Sequence, residues 1–455
     1  MNSSNRVVSM VPEIATILRR IPSEDYFPGP DEVEKRLAAL VARNPGLARR
    51  QRVGSSRLGE PIHLVSIGSG HRDALVFAGP HPNEPVGFLT VSYLAELLSN
   101  DDELRDRLGY TWHFIGCVDP DGARLNESWF SGPLTRRNYT RWHYRPPFGE
   151  QVEWTFPRHG DWRESHPSMP ETRALADVID TVRPALMCSL HNAEFGGVYY
   201  YVSEERAGMA EALADLSHHT GIPVHTGDPD IPGARRSGPG VFVVPPADVI
   251  AQAVAEEGEE GAVIGASSVH YAGRHGTYSL IIEVPMWSDP RSGEDTDCGQ
   301  RKAELLRDTA TMLGDISPRV GAFIDPALDT LYVPDSPFVR SLNDLRRTTA
   351  GLSAAYRNQA ERAGEVGATV AERFAACQTA HTLRLRTCGT ALRLVEGELA
   401  VGNHSPAIRT ACRALNDVFD SWADEAEADA KGTPVPLPRL VGAQLGAILT
   451  AARGT

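Results

Sequence analysis

Phe77-Ala78-Gly79-Pro80-His81-Pro82-Asn83-Glu84-Pro85 reads as the end of a buried strand, a loop and the start of a helix. The apolar run from Ala74 to Ala78 is the strand. From Pro85 to Leu98, Leu89, Tyr93, Leu94 and Leu97 recur at helical spacing. The corner between them carries an imidazole and a carboxylate, His81 and Glu84. Such corners are where open α/β sheets place ligand sites. His and Glu are both zinc ligands, and a catalytic zinc takes three protein ligands and keeps one position open. A His-x-x-Glu pair alone is common by chance, so the reading requires a third ligand and a base elsewhere.

Upstream, Asp31 to Arg49 is an amphipathic helix by pattern, with Val33, Leu37, Leu40 and Val41 on one face. Residues 1–20 read as a short helix or an arm. Ile62 to Ile67 alternates like a strand. Downstream, the strand Thr111 to Val118 ends in Asp119-Pro120-Asp121-Gly122, a turn by residue chemistry. Residues 123–168 are irregular and crowded with Trp142, His143, Tyr144, Phe148, Trp154, Phe156, Trp162 and His166, as in a wall or lid over a site. Pro170 opens a helix. Ala185 to Leu190 is a buried strand, and His191 follows directly. Residues 225–245 are rich in Gly and Pro and read as a mobile loop or insertion. The loop from Ser267 to Gly276 carries His270, Tyr271 and His275. Tyr278 to Val284 is a strand with Glu283 inside an otherwise apolar run, where a carboxylate is costly unless its charge is balanced.

Cys298 to Leu313 reads as a closing helix. After about residue 325 Ala, Arg, Leu and Glu dominate, and 338–362, 368–399, 405–428 and 438–452 read as four helices. The expected division is an α/β domain over 1–325 and an all-α domain over 326–455. Dimerisation, packing on the main domain and shaping of the cleft are all open to those helices.

The chain has 455 residues, 41% hydrophobic and 23% charged, with a formal net charge of -14. That charge argues against a nucleic-acid binder, which wants a basic face. There is no signal-peptide pattern and no apolar run of about 18 residues. Six scattered cysteines without a CxxC pair are expected to be buried free thiols. The expectation is a cytoplasmic protein with no membrane partner.

Taken together, His81-Pro82-Asn83-Glu84, the Pro120-Asp121-Gly122 turn, His191 and Glu283 resemble the zinc carboxypeptidases, the carboxypeptidase A-like metallopeptidases. The turn Gly54-Ser55-Ser56 to Gly59-Glu60-Pro61 resembles that family's entry to its first strands. The resemblance spans about residues 20–320. It implies a mixed central sheet flanked by helices and one Zn2+ per chain held by His81, Glu84 and His191. Zinc would lower the pKa of water, and Glu283 would take the proton as general base. The product would be a C-terminal residue cut from a peptide or amide substrate with a free carboxylate. The family's carboxylate-binding pair is Asn-Arg. Here Arg136-Arg137-Asn138 stands in that region, with Arg137 matching and Arg136 replacing the Asn. Arg124 or Arg141 would serve the oxyanion, and Tyr271, with His270 as rival, the mobile tyrosine. The His-Pro-Asn-Glu-Pro form is also similar to the N-acyl amino acid deacylases, succinylglutamate desuccinylase and aspartoacylase. A non-catalytic binding protein on the same fold is the remaining alternative.

Overall fold

The computed structural model describes residues 11–158, 169–227, 229–256 and 265–454. Trp162, His166 and the first ten residues of the expected N-terminal helix or arm lie outside them.

The centre is a mixed sheet with strands in the order β1 (Ala48–Ser55), β2 (Pro61–Ile67), β4 (Tyr110–Ile115), β3 (Arg72–Ala78), β5 (Leu186–Phe195), β9 (Tyr278–Ser288), β6 (Tyr199–Val202), β8 (Val241–Val243) and β7 (Arg235–Gly238). The middle pairs β4/β3, β3/β5 and β5/β9 are parallel, and the outer pairs β1/β2 and β2/β4 are antiparallel. Side chains alternate between the two faces, as strand geometry requires. In β3, Ala74, Val76 and Ala78 join one core and Leu75 and Phe77 the other. The first core is covered by α2 (Val86–Asn100), which follows α1 (Pro30–Arg43); the second is covered by α3 (Pro170–Val182). The chain leaves β3 towards β4 on one side, and β5 then lies on the other side of β3. That reversal is the topological switch point where open sheets form a crevice.

Several segments depart from expectation, each because pairing overrides local pattern. β5 does not stop at Leu190. It pairs with β9 as far as Phe195 opposite Trp287, so His191 lies within the strand, beside Glu283 in register. The Gly/Pro-rich stretch 225–245 is not wholly loop, since β7 and β8 extend the sheet there. The Pro120-Asp121-Gly122 turn is one helical turn, with the Asp119 side chain accepting from the Gly122 N–H. Ser268–Gly273 is a short helix as well.

The expected boundary at 325/326 falls inside one helix, α5 (Lys302–Leu328). This helix packs with α6 (Pro337–Arg362), α7 (Val370–Ala400) and α8 (Pro406–Asp429) around Ile324, Leu342, Leu385, Leu392, Leu415 and Phe419. Each of the last three starts on a capping hydroxyl, from Ser336, Thr369 and Ser405, of the kind that satisfies a helix's free N–H groups. The last helix, α9 (Leu437–Gly454), leaves the bundle. It joins the core of the sheet through Leu440, Val441, Leu445, Ile448 and Leu449. A helix apolar on every face needs burial on every face, and only the sheet unit offers it. Inside α9, Gln444 accepts a hydrogen bond from Thr90 (2.7 Å) and donates to the His191 carbonyl (2.8 Å). The chain's C-terminal end is thus wired to the strand that carries His191.

All six cysteines are free; Cys117, Cys188 and Cys388 are buried, and the others half-buried. Among the described residues no helix is long and apolar enough to cross a membrane.

Candidate metal centre and cleft

Gly79 ends β3 at a φ of 67°, a conformation that L side chains rarely adopt. It turns the chain into the loop that presents His81 and Glu84. Gly87 then lets α2 settle on the sheet, because a Cβ there would sit 2.8 Å from those of Ala78 and Leu190. The switch point so formed brings His81, Glu84 and His191 together, with potential ligand atoms all within 4.8 Å of one another. All three are buried.

The donor chemistry fits a zinc ion. His81 Nδ1 is buried without a hydrogen-bond partner, an arrangement that costs free energy unless something binds it. Burial, together with Arg145 and His191, holds the His81 pKa well below the ordinary imidazole range, so its ring is neutral, as a ligand must be. His191 Nδ1 faces Glu84 Oε2 at 2.9 Å and Glu283 Oε1 at 3.8 Å, while its Nε2 meets Ser189 Oγ at 2.8 Å. A second-nitrogen hydrogen bond of that kind orients a ligating histidine. Burial works against the His191 cation, but its hydrogen bond to Glu84 and the charges of Glu84, Glu283 and Glu153 together outweigh this and raise the pKa to about 9. Metal binding would take the place of that proton. Glu283 is pushed well above the carboxylate range by burial, with His191 opposing and Glu84 and Asp230 reinforcing the shift.

These residues line a cleft of about 460 Å³, within the range of small-ligand sites. Residues not anticipated from the sequence line it too. Arg145 Nη1 pairs with Glu84 Oε1 at 3.1 Å, and the Arg145 carbonyl accepts from Ser341 Oγ of α6 at 2.7 Å. Tyr199 is the cross-strand neighbour of Glu283, and its hydroxyl donates to Asp230 at 3.2 Å. From the helical bundle, α7 contributes Phe374, Gln378, Thr382 and Arg386 to the wall. Arg386 pairs with Glu194 and bonds the Tyr139 hydroxyl. The bundle therefore both packs on the sheet unit and shapes the cleft.

The other expected site residues are elsewhere. Arg137 is bound to Asp420, Asp424 and Glu427 of α8. Arg124 pairs with Asp31 and Glu60, and Arg141 with Glu396. Asn138 donates to the Pro133 carbonyl at an exposed position. Arg136 is buried behind the wall, donating to Gln378 Oε1 at 2.6 Å and Thr382 Oγ1 at 3.1 Å. Tyr271 packs under the sheet against Phe156 and donates to Asp180 at 2.9 Å. His270 does line the cleft, with Nε2 2.8 Å from the Pro245 carbonyl. The sequence showed a cation-rich loop, but which arginine faces inward depends on where α7 and α8 dock.

The buried triad at the switch point of the mixed sheet could hold a metal ion, and two imidazoles with one carboxylate is a donor set that suits zinc. The zinc carboxypeptidase family model matches residues 33–227 of the 455. The match holds all three triad residues and ends before Glu283. Among solved structures, the chain is similar to the metallo-carboxypeptidase from Burkholderia cenocepacia, with 16% identity over 56% of this chain and 60% of that one and a TM-score of 0.38. It is also similar to the carboxypeptidase A from Helicoverpa armigera, with 15% identity over 62% and 73% and a TM-score of 0.39. A search of curated proteins gave no match.

Proposed function

We propose that this chain is a cytoplasmic zinc-dependent hydrolase of a peptide or amide bond, with one zinc per chain, most simply a metallocarboxypeptidase. The convergence of His81, Glu84, His191 and Glu283 on one cleft carries the reading. His81, Glu84 and His191 would hold the ion. Bound zinc lowers the pKa of water to about 7 and polarises a carbonyl. Glu283 accepts the water proton and returns it to the leaving amine. Arg145, beside Glu84, steadies the negative charge that develops on the carbonyl oxygen. It takes the role expected of Arg124. Arg386 offers the other guanidinium among the described cleft residues, a fork suited to a substrate carboxylate. That carboxylate competes with Glu194. The second reading is N-acyl amino acid deacylation, since an N-acyl amino acid presents the same amide bond beside a free carboxylate. Product analysis separates them: shortened peptides in one case, free acyl groups in the other.

Metal content by elemental mass spectrometry tests the proposal. About one zinc per wild-type chain and none in His191→Ala is the expected result. A wild type that takes up no zinc overturns it. The arginines give a second test: Arg145→Ala lowers kcat by about 10²- to 10³-fold, as loss of an oxyanion donor does. Arg137→Ala leaves kcat/KM within about twofold, since its exposed ion pairs are worth roughly 0–1 kcal/mol. Steady-state kinetics that reverse this order would return the role to Arg137.

A further inference from the structure

At the switch point the sheet parts, and both sides of the gap carry members of the triad. β3 runs beside β5 only as far as Ala78 opposite Leu190. His191, the next residue of β5, has Glu283 of β9 on one side and no partner in β3 on the other. Across the gap, Gly79 has turned the chain into the His81/Glu84 corner and then α2. The backbone bonds over the gap are long: the Asn192 N–H reaches Glu84 Oε2 at 3.4 Å, and Asn192 Oδ1 accepts from the Val86 N–H at 3.5 Å. The short bridge comes from α9. Gln444 is fully buried, accepts from the Thr90 hydroxyl of α2 at 2.7 Å and donates to the His191 carbonyl at 2.8 Å. It sits among Leu440, Val441, Leu445 and Ile448, where a buried amide is costly unless both its ends are bonded. A leucine would serve packing alone. Thr450, also buried in α9, bonds within its own helix to the Gly446 carbonyl, whereas Gln444 turns both ends to other elements. Just before α9, Thr433 and Pro434 pair with Ser288 and Trp287, and the Val435 N–H donates to the Met286 carbonyl at 2.9 Å. The helix is thereby anchored on β9, the strand of Glu283.

We propose that Gln444 is a positioning residue for the metal centre. It fixes α2 and β5 at the separation at which His81, Glu84 and His191 close on one ion, so that metal affinity depends on the docking of the C-terminal helix. The inference rests on the metal-binding part of the proposed function and on none of its substrate chemistry. A site of this kind needs its side chains held within about 0.5 Å of the productive geometry. Loss of a group that holds a metal ligand in place costs about 10- to 100-fold in metal affinity. Gln444 acts on the His191 backbone rather than its ring, so the lower end of that range is expected. The coupling is reciprocal by thermodynamic necessity: if docked α9 favours zinc, zinc favours docked α9.

Zinc affinity is measured on the full metal-free chain by competition with a chromophoric chelator, for wild type, Gln444→Leu, Thr90→Val and Leu449→Ala. Gln444→Leu removes both bonds and is expected to bind zinc about tenfold more weakly. Thr90→Val leaves the His191 bond in place and should lose less. The double variant should bind no more weakly than Gln444→Leu alone, because members of one relay are not additive. Leu449→Ala is destabilised by lost packing in α9 but keeps both bonds, and should keep wild-type affinity. Thermal melts of the metal-free proteins check that each variant folds. Amide hydrogen exchange over residues 437–454 reads the reverse coupling: zinc should slow it in wild type, and less so in Gln444→Leu. Equal affinity in wild type, Gln444→Leu and Thr90→Val overturns the positioning role. So does an equal loss in Leu449→Ala, which would trace the effect to general loosening, and so does exchange in α9 that ignores zinc. Those results leave the metal centre standing, whereas a wild type that binds no zinc removes the metal reading and this inference with it.

Discussion

Glu283→Gln is expected to keep its zinc and lose about 10³-fold in kcat, within the range for removal of a general base. Glutamine has nearly the same shape, so β9 keeps its pairing with β5 and β6, and the triad is untouched. What disappears is the proton acceptor 3.8 Å from His191 Nδ1. Elemental analysis and turnover are measured on the same preparation. Unchanged turnover would remove Glu283 from the chemistry, and lost zinc would make it a ligand. The stability of the metal-free protein should also respond. Burial raises the Glu283 pKa well above its ordinary 4.5, so the folded chain binds this proton more tightly than the unfolded chain. A group shifted that way supports folding below its unfolded pKa, and that support is lost as pH rises towards the folded pKa. Metal-free Glu283→Gln should therefore be more stable than metal-free wild type at pH 8. The gap should close as pH falls towards about 4.5. Denaturant melts at both pH values read the sign directly.

Removal of α9 has the other large effect. A chain ending at residue 436 is expected to be recovered aggregated, without a cooperative thermal transition. The isolated segment 1–325 should fail in the same way. α9 covers the sheet face formed with α2, β5 and β9, and stable monomers rarely expose contiguous apolar patches beyond a few hundred Å². Removing the helix also takes the Gln444 partner away from the Thr90 hydroxyl and the His191 carbonyl. Gln444→Leu isolates the polar part. It keeps the apolar cover, breaks both hydrogen bonds and should cost about 1–3 kcal/mol in denaturant unfolding. A truncated chain that melts cooperatively and binds zinc would show that the sheet unit stands without α9.

The elements that could be read along the sequence are those whose cause is local. The apolar run of β3, the helical spacing of α2 and the long bundle helices follow from side-chain periodicity, which a chain displays without its partners. The His81/Glu84 corner was legible for the same reason, since strand, loop and helix are contiguous there. His191 was found directly after an apolar strand and Glu283 as an odd acid inside one, and the parallel register of β5 and β9 sets them side by side. Arg145, Glu153 and Arg386 carried no such signal, because an arginine or glutamate in a loop or on a helix looks the same whether it faces water or a cleft. Their orientation depends on contacts between segments far apart in sequence. Arg137 belongs to α8's acids, and Arg386 enters the cleft because α7 docks on the sheet unit. By itself the sequence singled out the candidate ligands His81, Glu84 and His191 and the candidate base Glu283, since burying such groups in strands and corners is costly. Only tertiary structure decided which charges surround them and which helix closes the core, because long-range packing sets both.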